Sequence, residues 1–161
     1  MREVRREAMA DDLKVPKQRA EVEVLFPGGG VRQVVVFLAE FAEEHSGAER
    51  LSDLLNGPGE FLPAIDLQND AVIFLGRQSI AAARVRPRWE PANPVAGAEH
   101  EVEITLADGA TLWGRINFVL PPERRLLDYL NLAEPFLRLQ EKDKVSLINK
   151  RHIARVAKVN P

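Results

Sequence analysis

The stretch RLSDLLN, residues 50–56, recurs as RLLDYLN at residues 125–131, with five of seven letters identical. The flanking sequence recurs as well. The segment that begins at Glu49 aligns with the segment from Arg124 at an offset of 75, which becomes 73 after a two-residue deletion. Upstream, EVEVLFPGGGVRQVVVFL aligns more loosely with EVEITLADGATLWGRINFVL. Self-similarity over about 65 residues indicates two copies of one structural unit.

Composition excludes several classes of protein. The chain has 161 residues, of which 45% are hydrophobic and 29% are charged, as in a folded globular protein. It has no apolar run of about 18 residues and no signal-like apolar segment near its start, so we expect a cytoplasmic protein that does not enter a membrane. The absence of cysteine excludes disulfides and thiolate chemistry. With only three scattered histidines, we expect no metal site and no cofactor.

Each unit has the pattern strand, strand, short helix, strand, strand, strand. In the second unit, EVEITL alternates apolar and polar residues, Asp108-Gly109 suits a tight turn, and TLWGRINFVL returns as the partner strand. Leucines at helical spacing predict a short helix over the repeated heptad, with Asn131 at its C-terminal cap. The runs PFLRL, KVSLIN and HIARVAKV are short and predict strands. So many strands with so little helix favour a bent, nearly closed barrel.

We therefore predict a mainly β chain with short helices, built as a tandem repeat of two small five-stranded barrels related by an approximate internal twofold. An N-terminal extension covers residues 1–19, and the helical pattern within it stops at Pro16. The first barrel covers residues 20–85, a proline-rich linker covers residues 86–98, and the second barrel covers residues 99–161.

The second unit resembles Sm-like (LSm) proteins and, more generally, SH3-like small barrels. The shared features are the apolar alternation, the Asp-Gly turn, a downstream glycine, and a last strand pair around a basic turn. The matching residues are Asp108, Gly109, Gly114, Ile148, Asn149 and Ile153. The resemblance implies a small β-barrel and, for Sm-like proteins, RNA binding. The heptad with FLxL and INKxxI also resembles a block in an uncharacterised bacterial domain family, which implies no particular activity.

The heptad residues fit a structural role. We expect its leucines to fill one end of each barrel, each contributing about 1.5 to 3 kcal/mol when buried. These leucines are Leu51, Leu54, Leu55, Leu126, Leu127 and Leu130. Its repeated polar pairs, Asp53 with Asp128 and Asn56 with Asn131, could bind a cation or a ligand. Beside a helix end, however, Asp and Asn more commonly satisfy backbone groups, so the structural role is favoured.

A basic cluster lies near the C-terminus. It comprises Lys150, Arg151, His152 and Arg155, with Arg125 as a neighbouring candidate. Residues 99–159 contain 10 Lys and Arg against 9 Asp and Glu, a net charge of +1, whereas residues 21–85 contain 4 against 10, a net charge of −6. The cluster could bind nucleic acid or a nucleotide phosphate, or dock on the acidic unit of a neighbouring chain. The overall charge of −2 and the scarcity of aromatic residues favour ordinary solvated charge, or docking on an acidic unit, over an anion site.

No catalytic constellation is visible, because no serine has a nucleophile-elbow context and no histidine has a motif-linked carboxylate. We therefore predict a non-catalytic binding or scaffold module that acts through protein partners, with a second copy of itself among the candidates. RNA or nucleotide binding by the basic face of the second unit is the alternative. A third hypothesis, an unusual hydrolase, predicts a deep polar pocket between the units.

Overall fold

The computed structural model describes residues 17–92, 97–118 and 125–159. These residues form ten strands and two short α-helices, in the order β1 Lys17–Leu25, β2 Val31–Ala39, α1 Leu51–Leu55, β3 Phe61–Asp66, β4 Ala71–Gly76, β5 Ala82–Val85, β6 Ala98–Leu106, β7 Thr111–Phe118, α2 Leu126–Leu130, β8 Phe136–Gln140, β9 Val145–Asn149 and β10 Ile153–Lys158. Three single-turn 3-10 helices lie at Arg77–Ser79, Pro87–Trp89 and Lys150–His152. No helix within the described ranges is long and apolar enough to cross a membrane.

The element types follow the sequence predictions closely. The prediction of a mainly β chain is confirmed, and both halves follow the predicted order of elements. In the β6–β7 hairpin, Val102 and Ile104 are buried and Gly109 has a φ of +95°, as the alternation and the turn predict. Most of the predicted N-terminal extension, residues 1–16, lies outside the described residues, as do linker residues 93–96. Residues 17–19 of that extension belong to β1 instead.

All ten strands belong to one antiparallel sheet, with the order β10-β6-β7-β8-β9-β5-β1-β2-β3-β4. The first half contributes β5-β1-β2-β3-β4, and the second half contributes β10-β6-β7-β8-β9. The end strands, β10 and β4, each have one neighbouring strand within the described residues, so the sheet is open. Two separate, nearly closed barrels are therefore not confirmed, because a strand of each half pairs with the other half.

The two halves are paired internally in equivalent registers. Strands β1 and β5 pair Val24 with Ala83, and β6 and β10 pair Ile104 with Val156, at offsets of 80 and 73 along the sequence. The pairing of β3 with β4 corresponds in the same way to the pairing of β8 with β9, at offsets of 75 and 73. Each residue of these strands therefore has a defined counterpart in the other half.

The halves meet where β5 pairs with β9, from Ala82 opposite Ile148 to Val85 opposite Val145. We call this pairing the internal junction. It joins the fifth strand of the first half to the fourth strand of the second half. A twofold axis would place equivalent strands against each other, so the predicted internal twofold is wrong and the halves follow one another head to tail.

Two hydrophobic cores lie along the sheet and share the internal junction. The first core is formed by the first half, and Phe136, Val145 and Leu147 of the second half complete it. The second core is formed by the second half together with Ala81 and Ala82 of the first half. All five residues of β9 are buried, because its two faces pack on different cores.

The burial of the heptad leucines depends on their position on the helix. Leu51, Leu55 and Leu126 are buried, and Leu54 and Leu130 pack partly buried against the cores. Leu127 is 67% exposed, so its predicted role in the core is wrong. A helix of five residues buries one face only, and Leu127 occupies the position that Ser52 holds in the other copy.

Candidate functional site

The internal junction shows how one half of the chain recognises the other. The side-chain Oδ1 of Asn56 accepts a hydrogen bond of 2.8 Å from the backbone N–H of Phe136. In the other direction, the buried Asn149 donates its side-chain N–H to the carbonyl of Ile80 at 3.1 Å, and its backbone N–H to the carbonyl of Ala81 at 2.9 Å. Asn56 therefore satisfies a backbone group of the other half, which the sequence did not reveal.

A charged cluster covers one face of this junction. The guanidinium of Arg84 on β5 lies 2.9 Å from Glu141 and 3.2 Å from Glu23. The hydroxyl of Ser146 on β9 donates to the same Glu141 carboxylate at 2.7 Å. These side chains are largely shielded from solvent, and they share their face of the internal junction with Ala82 and Ile148 of the second core.

Two exposed aromatic residues, one on the edge strand β4 and one on its neighbour β3, have buried counterparts in the second half. Phe136 and Leu147 are 4% and 0% exposed in the first core, whereas Phe61 and Phe74, at the equivalent positions of the first half, are 62% and 70% exposed. The β4 strand, AVIFLG, carries no charged residue. Natural sheets commonly blunt their edges with charges or proline, so an apolar edge of this kind is suited to pairing.

The open edge at β10 is the counterpart of β5. Val156 packs partly buried against the second core, whereas its counterpart Ala83 is completely covered at the internal junction. Arg155 is exposed, with its guanidinium 3.9 Å from the carboxylate of Glu103 on β6. The second core thus reaches an edge that no strand within the described part of the chain covers.

The predicted basic cluster is only partly brought together. Lys150, Arg151 and His152 form one 3-10 turn, whereas Arg155 lies on β10 and Arg125 precedes α2. The ammonium group of Lys150 donates to the carbonyl of Leu132 at 2.9 Å, and burial lowers its pKa. The ring Nε2 of His152 lies 2.6 Å from the carbonyl of Gln78 and, as its N–H tautomer, donates to it. Both side chains therefore have structural partners.

A cavity of about 330 Å³ lies at the internal junction between the two copies of this turn. Arg77 and Gln78 of the first half line it together with Phe136, Lys150 and Arg151 of the second half. The sequence comparison matched Arg77 to Lys150, but it did not predict that they meet. Among the described residues that line the cavity, none is a carboxylate, a histidine or a hydroxyl. The cavity offers cations and hydrogen-bond donors to an anion, but no general base.

The guanidinium of Arg77 is largely occupied within this cavity. It donates to the carbonyls of Leu54, Gly59 and Phe61 at 2.8 to 3.3 Å. Burial lowers the pKa of Arg77 from its usual value, although such a guanidinium stays protonated. Arg77 therefore anchors the segment after α1, and only part of its charge is available to a ligand.

The repeated aspartates cap their own helices. Asp53 accepts a hydrogen bond of 2.8 Å from the backbone N–H of Arg50, and Asp128 accepts one of 2.8 Å from the backbone N–H of Arg125. Asp53 also lies 2.6 Å from Nε2 of His45, a contact that raises the pKa of His45. Nowhere in the described ranges do three or more His, Asp or Glu residues form a group that could hold a metal ion.

One buried ionisable pair was missed in the sequence. Glu90, which follows the first half, is 2% exposed, and its carboxylate accepts hydrogen bonds from the backbone N–H and hydroxyl of Ser52 at 2.8 and 2.9 Å. Arg138 of β8 donates to the backbone carbonyl of Glu90 at 3.0 Å, with its Nε 4.0 Å from the carboxylate. In the sequence, nothing distinguishes either residue from solvated surface charge.

We compared the chain with models of protein families, with curated proteins and with solved structures, and none of them matches it.

Proposed function

We propose that this chain is a non-catalytic binding or scaffold module that engages protein partners through the open edges of its sheet. We propose further that its halves are copies of one small barrel-like unit, and that a neighbouring unit or chain covers the open edges of each copy. The observation that carries this proposal is the exposure of Phe61 and Phe74, since their counterparts Phe136 and Leu147 are buried by strand pairing.

The chemistry of the β4 edge supports a protein partner in particular. An unpaired strand edge presents backbone N–H and C=O groups that another strand satisfies completely. The edge residues Val72, Ile73 and Phe74 add apolar area, and the desolvation of aromatic side chains is a common source of binding energy in protein interfaces. Nucleic acid, in contrast, would call for cations, and β4 has none.

A photo-crosslinking amino acid at position 74, introduced in the producing cell, tests this proposal. We expect covalent protein adducts of defined mass after irradiation, because a bound strand would lie against this side chain. The matched control carries the same amino acid at position 41, since Phe41 is 75% exposed and lies outside the strands. Absence of adducts at position 74, or equal adducts at both positions, would contradict the proposal.

A second candidate function is the binding of an RNA or nucleotide phosphate. It is favoured by one observation: the junction cavity places Arg77 from the first half beside Lys150 and Arg151 from the second. We expect Lys150→Glu with Arg151→Glu to abolish any salt-dependent binding to a mixed nucleic-acid pool. The double variant Arg86→Glu with Arg88→Glu is the control, because it makes the same charge change away from the cavity. No binding by the wild-type chain at low salt would remove this candidate.

A further inference from the structure

We infer that the partner of the open edges is a second copy of this chain, in which β10 of one chain pairs with β4 of the next in the register of the internal junction. This inference rests on the proposed function, because it names the partner of the same edges. In such an assembly, the two open edges must be complementary to each other, as β5 and β9 are.

The two cores supply the first argument. The first core is completed by Phe136, Val145 and Leu147, which come from the half that follows it in the sheet. No following half covers the second core within the described residues. The counterparts of the three completing residues are Phe61, Val72 and Phe74, and they lie at the opposite end of the same chain. Head-to-tail association would place them on the second core of the neighbour.

The register follows from the offsets. The internal junction pairs Ala83 with Leu147 and Arg84 with Ser146. Their counterparts are Val156 with Phe74 and Ala157 with Ile73, so these would be the two central pairs of the four that β10 makes with β4 of the next chain. Phe74 would then cover Val156, which is one of two residues of β10 that pack partly buried against the second core.

One pair of this register differs in polarity from its equivalent at the internal junction. Arg84 and Ser146 are polar and share the carboxylate of Glu141. Their counterparts Ala157 and Ile73 are both apolar. This polar pair inside the chain thus corresponds to an apolar pair between chains. The two outer pairs of the same register, Arg155 with Leu75 and Lys158 with Val72, place the stem of a cation beside an apolar residue.

The repeated asparagine supplies the second argument. Asn56 follows α1 and accepts a hydrogen bond from the backbone N–H of Phe136. Its counterpart Asn131 follows α2 and is exposed, and the counterpart of Phe136 is the exposed Phe61. In the proposed assembly, Asn131 would accept the hydrogen bond of Phe61 from the next chain. In that assembly, the asparagine that ends each heptad would bind the half that follows it.

The charges of the two ends also agree with this pairing. The β10 end belongs to the half with a net charge of +1 and carries Arg155 and Lys158, whereas the β4 end belongs to the half with a net charge of −6. Attraction between such surfaces favours opposite ends over like ends. Because the interface is head to tail, the assembly must either close into a ring or grow into a fibre. A closed ring leaves no edge, and we expect that form.

Disulfide trapping between chains tests the register, because the chain has no cysteine of its own. One variant carries Ile73→Cys and a second carries Ala157→Cys. Opposed residues on antiparallel strands lie about 4.5 to 5.5 Å apart between Cα atoms, within the range of a disulfide. We expect mixing under mild oxidation to give a covalent dimer of the two variants, which neither variant gives alone. The control mixes Ile73→Cys with Val156→Cys, which is one residue out of register.

Light scattering gives the second measurement. We expect the wild-type chain to have a mass that is a multiple of 18.0 kDa, and Phe74→Glu to reduce it to 18.0 kDa, whereas Phe41→Glu should leave the assembly intact. A monomeric wild type, or equal trapping in both mixtures, would overturn the inference. The photo-crosslink at position 74 then separates the two proposals. Adducts with other proteins alone would keep the proposed function and reject self-assembly, whereas no adducts would reject both.

Discussion

Asn56 and Phe136 lie 80 residues apart in the chain, yet the side chain of Asn56 accepts a hydrogen bond of 2.8 Å from the backbone of Phe136. This bond fastens the end of α1 to the first residue of β8, across the boundary between the halves. The last residue of the repeated heptad therefore has a role outside its own helix, as a hydrogen-bond acceptor for the other half. It also distinguishes the two copies, because Asn131, the counterpart of Asn56, is exposed.

Asn56→Ala should lower the free energy of unfolding by about 1 to 3 kcal/mol, because it leaves the half-buried N–H of Phe136 without its acceptor. Urea denaturation measures the change. It should be made in a chain that also carries Phe74→Glu, so that self-association does not contribute. Asn131→Ala is the matched control and should change the stability of that monomer by less than about 0.5 kcal/mol. Equal losses of unfolding free energy in the two variants would contradict the role of Asn56 in joining the halves.

Leu126→Ala should cost about 2 to 5 kcal/mol of stability, because Leu126 is 6% exposed and its removal leaves a cavity in the second core. The neighbouring Leu127→Ala removes the same atoms from a side chain that is 67% exposed, so we expect a change within about 0.5 kcal/mol. Thermal and urea unfolding of the two variants provide the comparison. A large loss from Leu127→Ala would show that α2 turns a different face to the core.

Glu90 should make the stability depend on pH. Burial raises its pKa above the usual 4.5, and the hydrogen bonds from Ser52 and the charge of Arg138 only partly oppose this. The pKa of Glu90 is higher in the folded than in the unfolded chain. The contribution of protonated Glu90 to the free energy of unfolding is therefore complete below pH 4.5, and it is lost as the pH rises through the folded-state pKa. The stability of Glu90→Gln relative to wild type should therefore rise with pH in this window and then level off.

Urea denaturation at a series of pH values measures this difference. Glu90→Ala serves as the comparison, since it removes the acceptor of Ser52 and leaves the Arg138 charge unpaired. Breaking a buried pair in this way costs about 3 to 5 kcal/mol at neutral pH. A difference between wild type and Glu90→Gln that stays constant from pH 4 to pH 8 would mean that Glu90 keeps the same pKa on folding.

His45 should titrate above its usual pKa of 6.5, primarily because its ring Nε2 shares a hydrogen bond with Asp53. Its contribution to stability is complete below pH 6.5 and is lost as the pH rises through the raised pKa. In an NMR titration, Asp53→Asn should move the pKa of His45 downward. Asp128→Asn changes the equivalent cap of the other helix and should leave the His45 titration where it was. An unchanged titration in Asp53→Asn would argue against the contact.

The sequence predicted those features that depend on neighbouring residues. Alternation marked the β6–β7 hairpin, Gly109 marked its turn, and leucine spacing marked both helices. The pairing of β5 with β9 could not be predicted, because the backbone groups of one strand edge are the same as those of any other. The strands of one half can close into a barrel or pair with the other half. Which of these forms depends on packing between residues that are far apart in the sequence.

The candidate site was predicted less well than the elements. Lys150, Arg151 and His152 were recognised as a basic turn, but sequence proximity could not show that Arg77 lies beside them. The apolar pattern of β3 and β4 is typical of buried strands, so it gave no sign that Phe61 and Phe74 are exposed. Only the comparison of each residue with its counterpart makes this exposure informative.

The burial of β9 on both faces has a consequence for the evolution of the chain. Under the proposed self-assembly, a single ancestral copy would have obtained the residues now at Phe136, Val145 and Leu147 from an identical molecule. Fusion of two such copies would have made one contact permanent and left it free to diverge into the Arg84, Glu141 and Ser146 cluster. The outer contact, still made between separate molecules, would have remained under the older selection.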